Sequence, residues 1–600
     1  MKIKSEIEMD LNKFYKGQMF DAYKWLGAHV REEGVMFRTY APHAKRVDLL
    51  WKNQEIPLLP AYDGSFYEAM VPGAKAGDKY EFRVYGRDGN VVDHCDPYGF
   101  GMELRPAHKS IVRNLNWYKF HDEEWMKNRT DMLEKPLNIY ELHLGSWRKK
   151  TQEQMGWYRY DEMAEPLVKY LKMSGYNYAE FMPISEHPSD ESWGYQSTGF
   201  YAPTSRYGTM NQLKKLIDIL HQNQIGVILD FVPVHFAADS YGLAHFDGMA
   251  VYEYPHSDVG VSEWGSNNFM HAHGEIRSFL QSSANYWLKE YHFDGLRMDA
   301  ISRLIYWQGD ERRGENGNAI DFLKVMNRGL KRLNPGCILA AEDSTNYPNV
   351  TRDVDRGGLG FDYKWDMGWM HDTLEYFQSN PEERIGKYHK LTFSMMYFQN
   401  ENYILPFSHD EVVHGKATIL QKMNGQYEQK FPQAKAMYLY MMIHPGKKLN
   451  FMGNEIGQLR EWDEKREQDW DLRKYPKHDS FYCFIAKLND IYLSHPSLWR
   501  WDYRPEGFQW LDCNQESLCI YSILRTAGKE RLAAIFNFSS HVQKKYQVKI
   551  NGANKCSILL YSDWKKYGGA TPEEEKVAVL NEEILICNLN PFSAILMRIE

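Results

Sequence analysis

Short apolar runs alternate with helical-period segments eight times between about 138 and 455, which predicts an α/β protein with a central (β/α)8 TIM-type barrel. Clusters of short β-rich runs before about 115 and after about 505 predict a β-sandwich ahead of the barrel and an all-β domain behind it. Three modules are therefore expected, 1–115, 116–504 and 505–600.

The elements are justified in order. VMFRTYA (35–41), RVDLLW (46–51), FYEAMV (66–71) and YEFRVYG (80–86) are strand-like and separated by turn signals such as Asp63-Gly64 and Asp88-Gly89. The barrel rhythm begins at NIYELH (138–143), passes a helix near 161–174 and reaches YNYAEFM (176–182). Leu213, Leu216, Ile217 and Leu220 then share one helical face behind a cap expected at Asn211, and VILDFV (227–232) follows. A helix near 275–290, GLRMD (295–299), a helix carrying Leu323, Met326, Leu330 and Leu333, and ILAAE (338–342) come next. YKWD (363–366), ILPFSH (404–409) and LNFMG (449–453) complete eight strands. A doubly wound sheet would want a Gly-rich phosphate turn after its first strand, and ELHLGSW is not one. RLAAIFNF (531–538), KYQVKI (545–550), SILLYS (557–562), KVAVL (576–580), EILICNL (583–589) and SAILMRI (593–599) form the closing all-β domain.

Composition narrows the function classes. With 43% hydrophobic and 25% charged residues the chain is globular, and its net charge of −8 argues against nucleic acid as a partner. Seven cysteines, odd in number and without a C-x-x-C, disfavour disulfides and zinc and suit a reducing cytoplasm. No apolar leader and no apolar stretch of about 20 residues is present, so neither a signal peptide nor a membrane span is expected. Aromatic residues make up 15% of the chain, which suits sugar faces and large cores alike and so decides little.

In a barrel the residues that follow each strand line the active face. Strand three ends in Asp230 with His235 in its loop, strand four in Arg297 and Asp299, strand five in Glu342-Asp343, strand seven in His409-Asp410-Glu411. Taken singly, Asp230 or Asp299 could cap a helix, Asp230 could simply pair with Arg297, and His409-Asp410 could be an ordinary loop pair. Glu342 is a poor cap, and the set as a whole is hard to place at one rim by accident. Converging carboxylates without metal-ligand spacing suit glycoside chemistry, in which one attacks the anomeric carbon and one shuttles the proton. H-E-x-x-H, a P-loop and G-x-S-x-G are all absent, and His271-Ala272-His273 reads as loop, so neither a metal nor a cofactor is expected.

DFVPVH (230–235), GLRMDA (295–300), AAEDST (340–345) and PFSHDE (406–411) resemble the four signature regions of the α-amylase superfamily, glycoside hydrolase family thirteen. YELHLGSW (140–147), WGYQSTGFYAPTSRYG (193–208), SHDEVVHGK (408–416) and FMGNEIGQLREWDE (451–464) resemble, within it, the bacterial-type 1,4-α-glucan branching enzymes. FRTYAP (37–42) and DPYG (96–99) make the first module similar to the glycogen-binding β-domain of that family. The resemblance implies Asp299 as nucleophile, Glu342 as general acid/base and Asp410 as transition-state stabiliser. It implies that Tyr195, Asp230, His235, Arg297 and His409 line the −1 sugar subsite, with Tyr195 as a stacking platform. The expected partner is an α-1,4-glucan such as amylose or glycogen, acted on by a monomer that moves a chain to a 6-hydroxyl. A hydrolase on the same fold, or a binding protein with a decayed site, remains as an alternative. Asp343 stands where the family usually has a second Glu, Val234 where it often has Gly, and HAHGE (271–275) replaces a more usual Arg-containing stretch.

Overall fold

The computed structural model describes residues 8–153 and 155–600. Eight strands, β1 (Asn138–Leu142), β2 (Tyr178–Phe181), β3 (Gly226–Phe231), β4 (Gly295–Met298), β5 (Ile338–Ala341), β6 (Tyr363–Trp365), β7 (Tyr403–Phe407) and β8 (Lys447–Phe451), follow one another in chain order round a closed barrel. The described pairings are parallel, as in β3 with β4 and β8 with β1. Every residue of β1, β3, β4, β5, β7 and β8 is buried, which is why these strands read as apolar runs rather than as alternating patterns.

The longer helices among the described residues are α1 (Tyr160–Ser174), α2 (Met210–Gln222), α3 (Gly274–Glu290), α4 (Gly317–Leu333), α5 (Met367–Gln378), α6 (Tyr427–Ile443) and α7 (Pro476–Ser494). Two details depart from expectation. α2 starts before Asn211: Thr209 is its cap, in a reciprocal capping box with Gln212. Between β5 and β6 the described residues hold only the short 3₁₀ turn Val354–Arg356, so the alternation of strand and helix lapses once.

The chain divides into two compact units. The first takes the residues up to Thr130, His143–Pro166 and Phe181–Phe361. Its amino-terminal part is two antiparallel sheets, with strands 27–31, 34–40, 66–72 and 59–61 in one and 54–57, 46–51, 79–85 and 91–94 in the other. Tyr80, Phe82 and Val84 point inward from 79–85, the period of two that marks a half-buried strand. Residues 14–23 lie along α3, where Ser278, Gln281, Ser282 and Asn285 form a buried polar stripe at helical spacing. Ser278 Oγ donates to Phe14 O (2.8 Å), Gln281 Nε2 to Gly17 O (2.8 Å) and Asn285 Nδ2 to Phe20 O (2.8 Å), while Ser282 Oγ accepts from Tyr23 N (3.1 Å). The close pass needs Gly274, since a Cβ there would lie 1.8 Å from Tyr15 O.

The second unit takes Asp131–Leu142, Leu167–Glu180 and Asp362–Glu600. Its carboxyl-terminal part is a five-stranded sheet in the order 508–515, 520–527, 530–537, 593–599, 556–561 and a three-stranded sheet of 543–549, 584–589 and 578–581. Buried cations dock it on the barrel helices. Lys435 of α6 donates to Ser562 O (2.7 Å) and Tyr567 O (2.8 Å), and Arg384 donates to Phe538 O (2.9 Å). Arg525 reaches Ile443 O (2.8 Å) at the end of α6 and Asp502 Oδ1 (2.7 Å), and Asp502 also accepts from Lys447 Nζ (3.2 Å). Among the described residues no helix is long and apolar enough to cross a membrane.

At the amino ends of β3 and β4, His221 of α2 is enclosed between two carboxylates. Its Nδ1 donates to Asp122 Oδ2 (2.7 Å) and its Nε2 to Asp294 Oδ2 (2.9 Å); Asp294 also accepts from Val227 N (2.7 Å) and Trp125 Nε1 (2.8 Å). Burial alone would push the imidazole down, but the charges of Asp294 and Asp122 outweigh it and lift His221 to about 9. Burial raises Asp122 and Asp294, and the imidazolium more than offsets it, so both carboxyls sit below the ordinary range. A cation whose folded pKa is raised stabilises fully below its unfolded pKa of about 6.5 and loses that contribution as pH rises through the folded value. His221→Gln is therefore expected to cost on the order of 3 kcal/mol near pH 6, and the deficit should shrink by about pH 10. Melting temperatures of both proteins at the two pH values check this; an equal gap at both contradicts it.

Candidate active site

Barrel register brings the first group together. Asp230 of β3 is the partner of Arg297 on β4, so both side chains share one layer of the interior, and Asp299, two residues on, shares Arg297's face. The guanidinium is fully buried. Its Nη1 donates to Asp230 Oδ1 (2.7 Å) and Oδ2 (2.6 Å) and to Asp299 Oδ1 (3.0 Å), and its Nη2 lies 3.3 Å from Glu342 Oε2. Burial disfavours the cation, but Asp230 and the other nearby acids hold the pKa well above the usual arginine value. Tyr195 OH donates to Asp230 Oδ2 (2.5 Å), which ties its loop to the same group. Asp230 is buried, whereas the side chains of Asp299 and Glu342 keep 15% and 18% exposure, enough to meet an incoming molecule.

The strand ladder continues past its formal ends and fixes the two acids. Asp299 N donates to Phe231 O (3.0 Å), Ile301 N to Glu342 O (2.9 Å) and Glu342 N to Met298 O (3.0 Å). Between them Ala300 has φ +49°, a left-handed conformation that costs a non-glycine residue about 1 kcal/mol. The turn aims the Ala300 amide at Glu342 Oε2 (2.8 Å), so the residue after Asp299 orients the second acid.

His235 stands apart from this hydrogen-bonded group. It is buried, its ring lies 5.2 Å from that of Trp264, and its Nδ1 has no hydrogen-bond partner among the described residues. Burial, with Arg303 adding to it, pushes its pKa down to about 4, so it is a neutral imidazole with one N–H to give.

The second unit carries His409 and Asp410 in a 3₁₀ turn after β7. His409 is buried, and Asp410 is 41% exposed with Oδ1 3.4 Å from His409 Nε2. His409 is held by Glu141, near the end of β1, a residue that sequence reasoning missed. An acid inside the wholly buried run NIYEL was the available signal. Among the described residues no group of three or more metal-ligating side chains converges.

Known proteins bear on this geometry at two levels. Family descriptions match over residues 25–99 (carbohydrate-binding module 48, isoamylase N-terminal domain), 165–250 (α-amylase catalytic domain) and 510–600 (α-amylase C-terminal all-β domain). The 1,4-alpha-glucan branching enzyme GlgB of Oleidesulfovibrio alaskensis is 41% identical over 94% of this chain and 92% of its own length. That of Bacillus subtilis is 40% identical over 94% and 91%. The chain belongs to the 1,4-α-glucan branching enzymes of the α-amylase family. Among solved structures, a pullulanase complexed with maltotetraose from Anoxybacillus sp. LM18-11 shares the fold at TM-score 0.75 with 17% identity, over 98% of this chain and 89% of that one. A putative α-amylase from Salmonella typhimurium shares it at TM-score 0.72 with 18% identity, over 96% and 100%.

Asp343, Val234 and the stretch 271–275, read from the sequence as unlike the family pattern, have local structural roles. Asp343 Oδ1 accepts from Thr345 N (3.0 Å) and Oγ1 (2.9 Å), shaping the loop after β5. Val234 is buried and lines a small cavity with Tyr254, Phe269, His271 and Trp307. In 271–275, His271 Nε2 donates to Pro233 O (3.0 Å) and Gly274 admits the amino-terminal segment against α3.

If the guanidinium organises the branching-enzyme acids, Arg297→Met leaves Asp230, Asp299 and Glu342 without it. Breaking a buried ion pair by removing one partner costs about 3–5 kcal/mol. The variant should melt well below the wild type and lose activity; a melting curve superimposable on the wild type contradicts the assignment.

Proposed function

We propose that Asp299 and Glu342 carry out glucan branching as a retaining pair, with roles assigned by the family resemblance and supported by the geometry of this chain. Glu342 protonates the glycosidic oxygen of an α-1,4 bond while Asp299 attacks the anomeric carbon, forming a β-glycosyl ester and freeing the reducing-side fragment. Glu342, now ionised, takes the proton from a glucan 6-hydroxyl as that oxygen displaces Asp299, leaving an α-1,6 branch. Two inversions preserve the α configuration. The observation that carries this reading is the sharing of one buried guanidinium by both acids, Asp299 at 3.0 Å and Glu342 at 3.3 Å. Such sharing favours the short spacing of a retaining pair, about 5 Å, over the wider gap that holds a water between an inverting pair.

Around these two, Asp230, Arg297 and Tyr195 are assigned to the −1 subsite as an orienting group, His235 and His409 as donors to sugar hydroxyls, and Asp410 as the charge that stabilises the oxocarbenium-like state. Tyr195 was expected as a stacking platform; its hydroxyl's bond to Asp230 gives it a second task, fixing that carboxylate. The loops about 183–210 and 233–270, with 460–464, are assigned to the acceptor chain. In the last of these Glu461 accepts from Gly415 N (3.0 Å) and Ala417 N (2.7 Å), and Trp462 N donates to Val412 O (3.0 Å), which stitches 460–464 to the loop after β7. We assign the modules as 1–115, 116–504 and 505–600, and place the enzyme in the cytoplasm because its seven cysteines are odd in number and form no C-x-x-C.

Water competes with the acceptor at about 55 M, so transfer wins only through positioning, worth effective molarities up to about 10⁵–10⁸ M. Amylose treated with the protein should lose iodine colour while reducing ends stay nearly constant, and isoamylase should then release short chains absent at the start. Reducing ends that rise in step with the loss of colour would make the protein a hydrolase.

A further inference from the structure

Glu141 is an acid in the interior of an apolar strand. β1 is buried at every position and the Glu141 side chain is closed to solvent, so its two oxygens need donors. A single residue supplies both: His409 Nδ1 lies 2.5 Å from Oε1, and the His409 backbone N donates to Oε2 at 2.9 Å. One carboxylate thus clamps the ring and the main chain of the same residue, and the imidazole cannot rotate without breaking the bond. Phe451 at the end of β8 and Trp462 in the following loop stand edge-on to the ring, with centroids at 6.0 Å and 6.3 Å. The remaining nitrogen, Nε2, is turned to Asp410, whose Oδ1 is 3.4 Å away.

We propose that Glu141 is a positioning residue for glucan transfer, anchoring His409 through Nδ1 so that Nε2 keeps a proton to donate to a sugar hydroxyl. The inference rests on the branching reading above and adds a residue to it. Glu141 against Nδ1 fixes that nitrogen as a donor, and Asp410 beside Nε2 gives the second nitrogen an acceptor for its own proton. Among the described contacts, the ring faces Glu141 of β1 and Asp410 of its own turn, with Phe451 and Trp462 at its sides. Without the anion an imidazole releases one proton near about pH 6.5. With Nδ1–H still engaged by an acceptor, the proton released is the one on Nε2.

Glu141→Gln keeps the volume and one acceptor oxygen, for Nδ1–H, but removes the charge and the second acceptor, that of the His409 backbone N–H. Its branching activity on amylose, followed against pH beside the wild type, should fall tenfold or more at neutral pH and gain a descending limb above about 6.5. In a His409→Gln background the same change should alter activity by no more than about twofold, because Glu141 acts through His409. Glu141→Asp, which restores the charge, should recover the wild-type shape of the profile at a lower rate. A wild-type profile in Glu141→Gln, or an equal loss in both backgrounds, overturns the proposal. Should Glu141→Gln not fold, NMR of the wild type with ring-labelled histidine, assigned through His409→Gln, decides the matter. His409 protonated on both nitrogens at about pH 7.5 supports the clamp, and a neutral ring overturns it. A wild type that does not branch amylose overturns the branching reading, while the NMR result still judges the clamp by itself.

Discussion

The site depends on one buried cation. Arg297 sits in the barrel interior with no solvent contact, where an uncompensated guanidinium would cost several kcal/mol. Compensation comes from Asp230 across the β3–β4 ladder, from Asp299 two residues along and from Glu342 after β5. The interaction works in both directions. The cation's charge offsets the repulsion among the three carboxyl groups, and the acids hold the cation in a place it could not otherwise occupy. Strand register sets which residues meet, so the barrel's geometry and the chemistry of its rim are the same constraint.

Elsewhere the chain uses buried ions in a different way, to dock irregular segments. Arg206 lies 2.7 Å from Glu186 Oε1 and 2.7 Å from Asp190 Oδ1, and Asp190 also pairs with Arg105, which ties the end of the first module to the loop carrying Tyr195. Lys435, Arg384 and Arg525 place their donors on backbone carbonyls of the carboxyl-terminal sheets and their approaches. These cations satisfy C=O groups that have no partner in a helix or ladder, a demand that grows wherever two packed elements meet through loops. The polar stripe on α3 does the same for residues 14–23 with uncharged side chains.

Much of this was legible in the sequence where the physical signal is periodic. The eight barrel strands stood out because each is buried on both faces, and of the acids read at strand ends Asp230, Asp299 and Glu342 meet at Arg297. Pairing of Asp230 with Arg297 was one of the alternatives the residue types left open, and register makes the pair. Tertiary contacts decided the rest. Asn211 looked like a cap, but the capping box selects Thr209 because Gln212 can reach back to it. The strands 508–515 and 520–527 escaped notice: the first is half-buried and bulged against its partner, with polar residues at half of its positions, and so lacks a clean alternation. Glu141 was hidden by its surroundings, since a lone acid in an apolar strand gives no hint of its partner until a residue 268 positions away is brought against it. In the stretch 271–275 packing, not periodicity, sets the residue type: Gly274 makes room for the amino-terminal segment.

The central claim is that the charge gathered on Arg297 leaves Asp299 as the group that bonds to sugar. Trapping is the direct measurement: the enzyme is incubated with a glycosyl fluoride fluorinated so that the ester forms faster than it is lost, then digested and mapped by mass spectrometry. The account predicts one adduct, on the peptide containing Asp299, absent when Asp299 is replaced by Asn. An adduct on Glu342 or Asp410, or turnover with no adduct on any carboxylate, would contradict it.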